Sequence, residues 1–125
     1  MVRNIQCNPV CVLCDQAQET AVHLCLQCVF AREIWVLVET WTEGFVRAPS
    51  AAMDLEIWWN TAVQGLQKEQ SRRMAYLLIY TTWNIWKERN RRVFEAKVTT
   101  PQQVLFMIKE EMKVREDVFR GSVML

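Results

Sequence analysis

Residues 74–92 read MAYLLIYTTWNIWKERNRR. From Met74 to Trp86 there is no charge, and then Lys87 to Arg92 are almost all charged. The apolar part is too short to span a bilayer, which takes about 20 apolar residues, and Asn84 makes it too polar as well. A helix from about Glu69 to Glu95 accommodates the whole stretch. A helix apolar on nearly every side is normally central in a core. This one is therefore expected to be the hub of the fold, with a charged C-terminal end.

Helical spacing continues on both sides. Upstream, Val29, Phe30, Ile34, Trp35, Leu37, Val38 and Trp41 recur at three- and four-residue steps, predicting a helix from His23 to about Trp41. Gly44 is a reasonable stop, and residues 45–50, with Pro49, read as a loop. A second helix starts at Ser50 or Asp54, both good N-caps, and runs through Trp58, Trp59 and Ala62 to Leu66. Downstream, Thr100 can cap, Pro101 fits the first helical position and Gln103 completes a capping box. That fourth helix carries Val104, Leu105, Ile108, Met112, Val114 and Phe119. The expectation is a mainly α protein: about four helices in one compact domain over 1–125, with a helical core at 30–118 and a frayed tail at 119–125.

Composition agrees. Only three Gly and three Pro occur in 125 residues, so turns are few, and six Trp exclude a disordered tail. A net charge of +1 supplies no global basic field for nucleic acid or anionic membranes. The N-terminus has no apolar signal-peptide region, which implies an intracellular location, cytoplasmic or nuclear.

All five cysteines, Cys7, Cys11, Cys14, Cys25 and Cys28, lie in the first 28 residues, beside the single histidine, His23. A secreted disulfide scaffold spreads its cysteines along the chain. A cluster without a secretory signal reads as metal ligation over residues 7–30. Cys11-x2-Cys14-x8-His23-x4-Cys28 can close the tetrahedron that Zn2+ prefers. So can Cys11, Cys14, Cys25 and Cys28, with Cys25 in place of His23, and spacing alone does not choose. The plain alternative is that these thiols are small buried side chains.

Cys11-Val-Leu-Cys14, Glu19-Thr20, His23-Leu24, Cys28-Val-Phe-Ala-Arg and Ile34-Trp35 resemble the zinc-binding domain that lies C-terminal to the reverse transcriptase of plant non-LTR (LINE-type) retrotransposons. Trp83-Asn-Ile-Trp86-Lys-Glu-Arg-Asn90-Arg-Arg-Val93-Phe94 resembles the segment that follows it. The resemblance implies Cys11, Cys14, His23 and Cys28 as ligands. Cys25 then stands where the family usually has a core Phe. Relatives usually carry a polymerase upstream and often a nuclease downstream, so this chain reads as a stand-alone fragment.

No catalytic constellation accompanies the motif. Gly44, Gly65 and Gly121 are too scattered for a phosphate loop, and His23 is committed to the cluster. Neither an enzyme nor a small-molecule substrate is expected. Two roles remain. One is a protein-interaction module binding a host protein or a second copy of itself. The other is an RNA- or single-stranded-DNA-binding accessory domain using Arg72, Arg73, Lys87, Arg89, Arg91 and Arg92. Charge runs of this kind usually form solvated faces.

Overall fold

The computed structural model describes the backbone of residues 10–14, 18–50 and 54–124, and side chains as far as Glu116. The chain is mainly α. Four helices, α1 (Val29–Trp41), α2 (Leu55–Val63), α3 (Lys68–Asn90) and α4 (Pro101–Met124), are joined by loops, with wide π-helical turns at His23–Gln27 and Arg91–Glu95. No strand forms among the described residues, which hold one isolated antiparallel bridge, Val10 to Gln18. Among them no helix is long and apolar enough to cross a membrane.

The first helix does not run unbroken from His23. Cys28 is extended (φ −61°, ψ 138°), separating the π-turn from α1. That break also leaves Val29 exposed. α1 stops where Glu43 and Gly44 take positive φ and the Gly44 N–H donates to Glu39 O at 2.9 Å, a Schellman-type end. Asp54 caps α2 by accepting from Ile57 N at 2.8 Å. α2 ends at Val63, short of Leu66, and Gly65 turns the chain with φ +76°.

α4 packs along α3 and α1, while α2 covers α3. Ile34, Trp35, Val38, Leu77, Leu78, Ile85, Val104 and Ile108 form the centre, each at most 1% exposed. Burying a side chain of this size contributes about 1.5–3 kcal/mol. Trp35 meets Trp58 edge to face at 5.2 Å. The Thr100/Gln103 box forms in both directions, with N–H to side-chain oxygen distances of 2.8 and 3.1 Å.

Two expectations about α3 fail. It is the hub, but its apolar half is not buried all round: Ile79, Trp83 and Trp86 are 48%, 50% and 41% exposed. Three neighbouring helices leave one side of α3 uncovered, and the polar Thr81, Asn84 and Glu88 take inward positions instead. Asn84 donates to Tyr80 O and to the Glu111 carboxylate on α4. The charged end is not a solvated face either, since Glu88 is fully buried. On α4, Val114 is exposed rather than core. The α4 backbone is helical to Met124.

Candidate metal centre

Cys11 and Cys14 bracket a tight turn held by the Val10–Gln18 bridge. His23 opens the π-turn, with its N–H on Thr20 Oγ1 at 3.0 Å. Cys28 sits at the break before α1. Extended backbone there is what lets its sulfur reach the Cys11 turn. The result is a cluster in which the three sulfurs and a His23 ring nitrogen all lie within 4.8 Å of one another.

The donor set fits a tetrahedral ion. Metal–sulfur bonds of about 2.3 Å and metal–nitrogen bonds of about 2.0–2.1 Å place tetrahedral ligands about 3.8 Å (S to S) and about 3.5 Å (S to N) apart. Cys11 Sγ and Cys28 Sγ are 3.7 Å apart, and Cys14 Sγ is 3.4 Å from His23 Nε2. Cys11, His23 and Cys28 are buried, and Cys14 is half-buried.

Burial pushes the Cys28 thiol up to about 12 and raises Cys11 as well. Backbone N–H groups oppose it: those of Ala31 and Phe30, in the first turn of α1, face Cys28, and those of Cys14 and Leu13 face Cys11. Buried thiols surrounded by N–H donors are poor thiolates alone and good ones beside a cation. A metal here would be held by Cys11, Cys14, His23 and Cys28.

Cys25 lies outside this set. It packs half-buried against the core, burial raises its thiol, and its carbonyl accepts from Trp35 Nε1 at 2.7 Å. The all-cysteine arrangement is therefore not the one assembled. Cys7 lies outside the described residues.

Residues 1–35 match the family model described as zinc-binding in reverse transcriptase. The N-terminal segment is thus similar to the zinc-binding region of reverse transcriptases. The match covers the metal loop and the first half of α1, not the stretch from Trp83 to Phe94. No curated protein and no solved structure matches the chain.

The basic residues singled out from sequence are not gathered into one patch. Arg73 pairs with Glu116 and Lys87 with Glu111, both at 3.7 Å. Arg89 pairs with Glu19 at 2.9 Å, and Arg91 and Arg92 pair with Glu88 at 2.7 and 2.8 Å. Arg72 is exposed on the first turns of α3. Three carboxylate and hydroxyl partners next to the metal loop, Glu19, Glu88 and Thr99, were not singled out as site residues. Glu88 was legible in principle, because Arg91 and Arg92 stand three and four residues beyond it. Thr99 had no local signal.

Proposed function

We propose that this chain is a non-catalytic helical module, closed at its N-terminal end by a structural Zn2+, that offers the open face of α3 to an amphipathic helix of a partner protein. The carrying observation is the ridge Tyr76, Ile79, Trp83 and Trp86. Its steps of three, four and three residues keep it on one helix face, the spacing by which helices pack together. Trp is enriched among the anchor residues of protein interfaces. Lys87 lies 5.8 Å from the Trp83 ring, Arg89 5.0 Å from Trp86 and Arg115 4.1 Å from Tyr76. A complementary helix would therefore carry acidic flanks. A stable homodimer is less well supported. The ridge offers about 300–400 Å2 of apolar surface, against about 800 Å2 per partner in a standard interface.

The zinc role is structural because four protein ligands leave no open coordination position. Thiolate ligands favour a reducing, intracellular compartment. Zinc-dependent hydrolysis abolished by Cys14→Ser would overturn the non-enzymatic reading.

The same cations over rings favour a second reading, an accessory domain for single-stranded nucleic acid, in which bases stack on Trp83 and Trp86. Two titrations separate the readings. A helical peptide with a leucine ridge and glutamate flanks should bind and blue-shift tryptophan emission, and its lysine-flanked counterpart should not. Trp83→Ala should abolish the shift. Equal response to both peptides, or none, contradicts the protein-partner reading. Binding of a 20-nucleotide single-stranded RNA that collapses as salt rises supports the second reading instead.

A further inference from the structure

Every stretch between consecutive ligands of the cluster is fastened to the helical body. Between Cys11 and Cys14, the Leu13 carbonyl accepts from Arg92 Nη1 at 3.3 Å. Between Cys14 and His23, Glu19 Oε1 accepts from Arg89 Nε and Nη2 at 3.2 and 2.9 Å. Between His23 and Cys28, the Cys25 carbonyl accepts from Trp35 Nε1. Two of these three fastenings come from the end of α3 and the π-turn after it.

Arg92 touches both the metal loop and the first turn of α1 that follows it. Its guanidinium reaches Leu13 and also lies 4.6 Å from the ring of Phe30, two residues beyond Cys28. Its orientation is fixed from behind. Glu88 Oε2 accepts from Arg92 Nε at 2.8 Å and from Thr99 N at 2.9 Å, while Glu88 Oε1 accepts from Arg91 Nε at 2.9 Å and from the Thr99 hydroxyl. The wide π-turn brings Arg91 and Arg92 back onto one buried carboxylate, and left-handed Ala96 (φ 55°) returns the chain to Thr99.

We propose that Arg92, aimed by Glu88, is a positioning residue for the metal loop, so that metal occupancy and the order of residues 88–99 are coupled. This rests on the metal centre described above. Partners hydrogen-bonded to the ligands themselves commonly contribute about 10- to 100-fold in affinity; Arg92 acts one residue away, on Leu13 beside Cys14, so the lower end of that range is expected. Linkage requires that the metal stabilise the Arg92 contacts by the same factor by which they tighten the metal.

The test uses the full chain and Zn2+. Competition against a chromogenic chelator gives the affinity of the parent, Arg92→Leu, Arg89→Gln and, as control, Arg72→Gln. Hydrogen exchange over residues 88–99 is followed with and without metal. The expected result is affinity about tenfold weaker or more in Arg92→Leu, a smaller loss in Arg89→Gln, none in Arg72→Gln, and exchange over 88–99 slowed by zinc. Parental affinity in a helical Arg92→Leu, or exchange that ignores the metal, overturns the coupling while leaving the metal centre intact. If Arg92→Leu does not fold, unchanged affinity in Arg89→Gln together with metal-independent exchange overturns it equally. A parent that binds no zinc removes the metal centre itself and the coupling with it.

Discussion

Between Val10 and Cys28 the described chain forms one isolated bridge, a tight turn and a π-turn. From Val29 onward it is mostly α-helix. The helical body buries a continuous apolar centre around Trp35, Leu77, Leu78 and Ile108. The loop adds Cys11, Leu13, Leu24, Leu26 and Cys28 to that centre, yet it has little backbone ladder of its own. Hydrophobic burial accounts for the body. The loop is held by those buried residues and by its fastenings to Arg89, Arg92 and Trp35, which leave its four donor side chains converging. One region is specified by periodicity, the other by a few polar atoms at fixed distances.

Substitutions should separate the two regions. The largest effect is expected from Trp35→Ala, which opens a cavity in the body and removes the donor to Cys25 O. A loss of about 3–5 kcal/mol in chemical denaturation should come with weaker zinc binding. Ile108→Ala, on α4 and outside the loop, should cost about 2–5 kcal/mol and leave zinc stoichiometry unchanged; a lost zinc there would erase the distinction between the regions. Thr100→Ala removes the α4 cap and should cost about 1 kcal/mol, again without touching the metal. Trp83→Ala should cost no more than about 1 kcal/mol, because half its surface is already in water; a loss approaching that of Trp35→Ala would mean the ridge is part of the core.

Acid should act on both regions, with the same sign. Burial alone would raise the Glu88 carboxyl, but the Thr99 hydroxyl and N–H and the Arg92 and Arg91 guanidiniums outweigh it and hold it below the usual carboxylate range. A lowered folded-state pKa means that stability is present above the unfolded value, about 4.3 for Glu, and is lost as pH falls through the folded one. Zinc release should come earlier in the same titration, because protons compete for the thiolates and the imidazole. In Glu88→Gln the acid-dependent loss of helical stability should shrink.

The body was legible because helix period, caps and the Gly44 stop are local signals. Thr100, Asp54 and Gly44 act as their residue types predict. The failures on α3 have one cause. Periodicity reports which residues are apolar, not how many neighbours are available to cover them, so Ile79, Trp83 and Trp86 read as core. Cysteine spacing reached the cluster but left His23 and Cys25 open, because which one faces the sulfurs depends on the π-turn and the break at Cys28. The Glu88 network was legible only in part. Arg91 and Arg92 stand at helical spacing from Glu88, but Thr99 and the Leu13 carbonyl reach the network through tertiary contact, and a run such as Lys87 to Arg92 looks the same whether it faces water or a buried carboxylate.

Cys11, Cys14, His23 and Cys28 are expected to hold one zinc that organises the loop. Native mass spectrometry of the reduced parent, His23→Ala and Cys25→Ser tests it directly. One zinc in the parent and in Cys25→Ser, lost or weakened in His23→Ala, is the predicted result. No zinc in the parent, or zinc lost with Cys25 and kept without His23, would contradict it.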